Sequence, residues 1–162
     1  MSILTNAGRA TLAEMVMSRP LHLALGRGVA SWGDSPPPPE FTDTALVSEM
    51  GRKAATRRFF VEEDGAGEIE LPGGRRWTAS TEPTRHIYCE FAFAWEEGNG
   101  ETVRELGLFI DTEPKATVPT SQTWLLPEDI EDAGTLLAVE RPDAPDLFTP
   151  RKRGVFEHVL TF

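Results

Sequence analysis

Cysteine is almost missing from this chain. Cys89 is the only one in 162 residues, so no intrachain disulfide can form. Long apolar runs are missing as well. None approaches the roughly 20 residues that a bilayer-spanning helix needs. The N-terminal "MSILTNAGRATLAEMV" has no basic start followed by a continuous apolar core, so it does not read as a signal peptide. Folding in a reducing cytoplasm is the expectation. Basic residues are in short supply: 16 Lys and Arg stand against 26 Asp and Glu, giving a formal charge of -10. A chain this acidic lacks the broad basic surface that nucleic acid and anionic membranes require, and neither is expected as a partner. The local clusters Arg57-Arg58, Arg75-Arg76 and Arg151-Lys152-Arg153 are expected to meet acidic patches on a protein, another copy of this chain included.

Catalytic signatures are lacking too. "GRG" at Gly26 to Gly28 has neither the further glycines nor the Lys-Ser/Thr of a phosphate loop, and no G-x-S-x-G elbow occurs. His22 and His86 have no His or Cys partner at metal-ligand spacing. His158 reads as a strand residue. Cys89 lies on an aromatic strand face, where a thiol behaves as a small hydrophobe. The carboxylate groups Glu62-Glu63-Asp64, Glu96-Glu97 and Glu128-Asp129-Glu131-Asp132 fit no EF-hand spacing and read as solvated turns. No metal, no cofactor and no enzymatic activity are expected.

What is present is turn-forming and strand-forming sequence. Thirteen Pro and fourteen Gly point to many turns and ordered loops, and the length suits a single domain over residues 1–162. "LTNAGRATLAEMVMSRP" has the pattern of a short helix capped by Thr5 or Asn6, with Leu12, Met15 and Val16 as its apolar face and Pro20 as its stop. Strands are expected at "PLHLALGRG", where Leu21, Leu23 and Leu25 alternate with His22 and Ala24, and near Ala55 to Glu62. Further strands are expected at "GEIELPGG", "RHIYCEFAFAW", "TLLAVE" and "GVFEHVLTF". "EEGNGE" suits a hairpin turn that returns the aromatic strand as "ETVRELGLFID". "LPEDIEDAG" can hold one helical turn. "GDSPPPPEFTDTA", with Pro36, Pro37, Pro38 and Pro39, cannot supply ladder amides and reads as an extended loop. The expected class is α+β: an N-terminal helix, a mainly antiparallel sheet or sandwich of about six strands, and long Pro-rich loops.

One residue resists this sorting. Glu105 stands directly before the apolar run Leu106-Gly107-Leu108-Phe109-Ile110. A buried carboxylate must be paired or hydrogen-bonded. Three arrangements are open: Glu105 pairs with Arg52, or it caps backbone amides of the "LVSEMGR" segment that also carries Glu49, or it lies outward with no role. Gly107 permits a bulge or the close approach of another backbone or ring.

Four features in order carry a family resemblance: the helix "LTNAGRATLAEMV", the strand "LHLALGRG" before a Pro/Asp-rich loop, "TALVSEMGRKAA" from Thr44, and "VRELGLFID" from Val103. Together they resemble the N-terminal domain of the tail-collar fibre family of contractile-tailed phages and their domesticated relatives. The resemblance covers about residues 3–111 and implies a structural role: attachment of tail fibres or neighbouring subunits at the baseplate, in several copies per particle, on the virion tail after assembly in the host cytoplasm. Tail fibres continue into a long shaft, and this chain has none after Phe162, so a free-standing adaptor or a baseplate component, rather than a whole fibre, is expected. Candidate contact elements are the N-terminal helix, Trp32 with Pro36 to Pro39, and Arg151, Lys152 and Arg153. A rival reading is a small-molecule-binding β-rich module with Phe91, Phe93, Trp95 and Phe109 lining a pocket. A carboxylate-pair hydrolase is the third reading, and it has no motif behind it.

Overall fold

A computed structural model describes residues 2–33, 35–71, 73–94, 96–98, 100–143, 146–147 and 154–162. The helix α1 spans Asn6–Met17. Strands follow in chain order: β1 Leu21–Gly26, β2 Glu49–Ala54, β3 Arg57–Glu63, β4 Ile69–Glu70, β5 Arg76–Ser80, β6 His86–Ala92 and β7 Thr102–Val103. Then come β8 Glu105–Ile110, β9 Glu113–Pro114, β10 Trp124–Leu125, β11 Ile130–Asp132, β12 Thr135–Glu140, β13 Asp146–Leu147 and β14 Val155–Thr161. The architecture is mainly β with one short α-helix, and every described strand pair is antiparallel.

The chain forms two compact units, neither of them a continuous segment. The first unit comprises residues 1–19, 55–91 and 155–162, and the second comprises 20–54 and 92–154. Each holds one five-stranded sheet rather than a share of a single six-stranded one.

In the first unit the strand order is β14-β6-β3-β5-β4. β3 is shared between its neighbours: Arg57 to Phe60 pair with β6, and Phe60 to Glu63 pair with β5. Val61, Trp77 and Tyr88 form the buried centre, with Phe59, Ile69, Leu71 and Val159 packed against them. The Phe59 and Tyr88 rings stack at 4.7 Å. β14 contributes Leu160 to the interior, while His158 is exposed. α1 begins as expected, with Thr5 Oγ1 accepting from the Gly8 amide at 3.1 Å. Its buried face differs from the expectation. Ala13 and Val16 are buried, whereas Leu12 and Met15 are exposed.

In the second unit the order is β10-β2-β1-β8-β12. β1 is central, flanked by β2 and β8, so all six of its residues are buried. The alternating pattern of Leu21, Leu23 and Leu25 therefore does not mark a half-exposed strand: His22 and Ala24 are covered too. Ala24, Leu46 and Phe109 form the core here, with Leu136 and Val139 against it. Gly107 sits opposite Ala24 in the ladder. A Cβ on it would come within 2.9 Å of Leu46 and 3.1 Å of Phe109, so close packing rather than a bulge explains the glycine. β12 matches the expected strand, and the turn at Pro127–Asp129 is a short 3-10 helix.

The expected hairpin between the aromatic strand and "ETVRELGLFID" does not form. β6 pairs with β3 in the first unit, while β8 pairs with β1 and β12 in the second. After Phe91 the chain passes from one unit to the other, before it reaches the expected turn. Several strands were not expected: the short β9, β10, β11 and β13, and two longer ones. β2 carries Glu49, Arg52 and Lys53 and looks too polar, and β5 begins at the second of two arginines that follow a pair of glycines.

Candidate functional site: a buried charge lock and the loop it holds

β8 opens on Glu105, and the strand places this carboxylate in the interior of the second unit with no exposed surface. Both oxygens are occupied. Oε2 accepts from the Val47 backbone N–H at 2.7 Å, and Oε1 accepts from Arg141 Nε at 3.0 Å. Val47 lies in the "LVSEMGR" segment, so the amide-capping arrangement is the one observed. Pairing of Glu105 with Arg52 is not observed. Arg141, which no sequence motif singled out, fills that position just after β12.

Arg141 does more than neutralise Glu105. Its Nη1 donates to the Pro38 carbonyl at 3.1 Å and reaches the Pro37 carbonyl at 3.4 Å. Its Nη2 donates to Asp43 Oδ2 at 3.1 Å, and its guanidinium lies 5.2 Å from the Trp32 ring centre. A planar guanidinium with several fixed donors suits this branching task, which an ammonium could not reproduce. The proline carbonyls are available because consecutive prolines make no ladder. On the other side of Trp32, Gly28 has φ near +56°, and a Cβ there would strike the indole at 2.5 Å. A left-handed backbone and a close ring together require glycine at this turn. The Pro-rich loop is thus fastened to the core through one arginine side chain.

Two further buried cations work in the same unit. Arg52 donates from Nε to Glu49 Oε1 at 2.6 Å and from Nη1 to Thr112 Oγ1 at 2.8 Å, and it also reaches the Ala133 carbonyl. Its guanidinium stacks 3.5 Å from the Phe109 ring centre. Glu49 and Arg52 are therefore brought together with each other, in a network separate from that of Glu105. Lys53 Nζ contacts both oxygens of Glu97, at 2.7 and 2.8 Å, and Thr123 Oγ1 at 3.0 Å. Glu97 also accepts from the Ala94 amide at 2.7 Å. The expectation that Glu96-Glu97 is only a solvated turn is thus corrected for Glu97: a buried lysine demands a carboxylate partner.

The other carboxylate groups behave differently. Glu62, Glu63 and Asp64 are exposed. Asp64 is held below the usual carboxylate range by hydrogen bonds from the Ala66 amide and the Thr78 hydroxyl. Asp129 caps the Leu126 amide at 3.0 Å. At the surface, Arg27 and Glu101 make a two-pronged contact at 2.9 Å. That contact holds the Glu101 carboxyl below its ordinary range. Of the basic clusters, Arg57 meets Glu90 and Arg76 meets Glu70, both within the first unit. Arg151, Lys152 and Arg153 lie outside the described residues, as does Trp95.

Two ionisable side chains have their pKa values raised by their surroundings. Burial pushes the Cys89 thiol up to about 12, so it stays protonated at neutral pH. Burial, with a hydrogen bond to Glu157, also pushes the Tyr88 hydroxyl up. Phe91 in the first unit and Phe93 and Phe109 in the second are buried, and Phe109 packs with Ala24 and Leu46. Among the described residues, no group of three or more His, Cys, Asp and Glu side chains is placed to hold a metal ion.

Taken together these features define a mainly antiparallel β protein whose described chemistry is spent on fixing segments of its own chain. Residues 1–162 match the family described as "Baseplate wedge 3 tail fiber network component", and the chain belongs to that family. It is thus a phage baseplate protein of the virion tail, which agrees with the expected baseplate class and does not single out the tail-collar domain. No match was found among curated proteins.

Proposed function

We propose that this chain is a non-enzymatic adaptor of a contractile tail, joining the baseplate to tail fibres or to a neighbouring baseplate subunit, in the manner of the tail-collar fibre domain. Its partners are other tail and baseplate proteins. It acts in several copies, where ring symmetry multiplies a modest interface. It takes up its place after assembly in the host cytoplasm. The observation that carries this reading is the fastening of an exposed Pro-rich loop to a buried ion pair. A loop without such a fastening would lose conformational freedom on binding, and that ordering would weaken the interface. Here Arg141 fixes Pro37, Pro38 and Asp43 in advance. Trp32, beside them, is half-buried and leaves part of its ring outward. The N-terminal helix offers a second contact element, with Leu12 and Met15 exposed.

Electron microscopy of native particles carrying a labelled chain tests the placement. Label at the baseplate end of the tail is expected, close to the fibre roots. Label absent from the tail would overturn the reading.

A further inference from the structure

Phe41 is the most exposed large apolar residue of the described chain, at 113% of a reference extended residue. Its neighbours do not let it drift. The Asp43 amide donates to the Glu40 carbonyl at 3.1 Å, and the Glu40 amide donates to Asp43 Oδ2 at 3.0 Å, closing a tight turn with Phe41 at its crest. The same Asp43 oxygen accepts from Arg141, which is paired with the buried Glu105. A rigid path therefore runs from the core, through Arg141 and Asp43, to a phenyl ring standing in solvent.

We infer that Phe41 is an anchor, seated on assembly in an apolar pocket with a Lys/Arg rim on a different protein of the tail; this rests on the adaptor reading above. A single exposed ring costs little to desolvate, and aromatic anchors in pockets carry much of the energy of an interface. Holding the backbone of the turn in advance leaves only the side-chain torsions of Phe41 to be ordered against that gain. Charge selects the partner. Residues 34–43, "DSPPPPEFTD", hold three acidic and no basic residues. Asp43 shares the single Arg141 cation with Glu105, while Glu40 beside the ring stays exposed. A second copy of this chain, with a formal charge of -10, is repelled on average, and within its basic clusters Arg57 and Arg76 are already paired with Glu90 and Glu70. A basic rim on another protein meets it with opposite charge.

The test uses whole particles assembled with the full chain carrying a photo-crosslinking phenylalanine analogue at position 41, and, separately, with Phe41→Ala and Phe41→Glu. Val155→Ala, an exposed apolar position in the other unit, serves as control. The ring buries nothing in the free chain, so the melting temperature of the variants is expected to match the wild type. Irradiation is expected to join position 41 to one other tail protein, at an apolar segment flanked by Lys or Arg. Binding of the purified full chain to that crosslinked protein is expected to weaken roughly tenfold or more for Phe41→Ala, more still for Phe41→Glu, and not at all for Val155→Ala. Crosslinks only to another copy of this chain, or variants that bind and assemble like wild type in particles that contain it, would overturn the anchor and leave the adaptor reading standing. Wild-type chain missing from the tail would remove both.

Discussion

The two units solve the same packing problem with different materials. The first is centred on rings and aliphatic groups, Val61, Trp77 and Tyr88, and its Arg57–Glu90 and Arg76–Glu70 pairs lie at the surface. The second buries cations: the side chains of Arg52, Lys53 and Arg141 retain only 4%, 8% and 7% of their exposure, each against a carboxylate. Buried ion pairs are poor general stabilisers, since desolvation offsets most of the attraction. Their use here follows from where they lead. Arg141 reaches the Pro-rich loop, Arg52 reaches Thr112 and Ala133, and Lys53 reaches Glu97 and Thr123. Apolar contacts fill a core. Directional donors hold irregular segments in one place, and the second unit has more of those segments.

The comparison is most easily broken at Glu105. Removing it in Glu105→Ala leaves the Arg141 Nε and the Val47 amide without their acceptor, with Asp43 as the remaining carboxylate partner of Arg141, and the expected loss is about 3 kcal/mol in denaturant unfolding. Proteolysis within the Pro-rich loop should quicken in the same variant. In the first unit, Val61→Ala removes fully buried methyl groups and should cost about 2 kcal/mol, with no change in loop proteolysis. Equal loop cleavage in both variants would erase the distinction between the units.

Acidification should sharpen it from the other side. His86 in the first unit lies 4.9 Å from the Trp77 ring centre, and burial, with the charge of Arg85 next, lowers its tendency to take a proton. Its folded pKa lies below its unfolded one, so the unfolded chain binds the extra proton first. Stability should therefore fall as pH drops below the ordinary histidine value near 6.5 and should recover as pH rises through it. Unfolding followed through tryptophan fluorescence at pH 7.5 and about pH 5.5 checks this, and His86→Asn should flatten the difference. The smallest effect is expected at Arg27–Glu101, an exposed pair. Glu101 is held below its ordinary range, so its contribution is present above that range and is lost as pH falls through the lowered value. Solvent screening limits it to about a few tenths of a kcal/mol for Glu101→Gln, diminishing further in high salt.

Much of this was readable in the residues, and the failures have physical causes. Strong local signals held: the cap at Thr5, the strands "LHLALG" and "TLLAVE", and the turn at Pro127. β2 was missed because its Arg52 and Lys53 are buried as ion pairs, and a sequence shows charge but not the partner that permits burial. The expected hairpin after β6 does not form because the chain leaves that unit after Phe91, ahead of the Gly/Asn turn, and β8 pairs in the other sheet. At the site, Glu105 stood out by its position against an apolar run, and its hold on the "LVSEMGR" segment was within reach. Arg141 was not, although a sole arginine at the end of an apolar strand might have been asked which carboxylate it serves. Its partners lie 36 and 98 positions away in the chain.

Hydrogen exchange at the Val47 amide tests the lock most directly, because that one proton sits between Glu105 and the segment it holds. Strong protection in the wild type is expected, collapsing in Glu105→Ala and in Arg141→Ala and unchanged in Glu101→Gln. Rapid exchange at Val47 in the wild type, or protection that survives loss of Glu105, would contradict it.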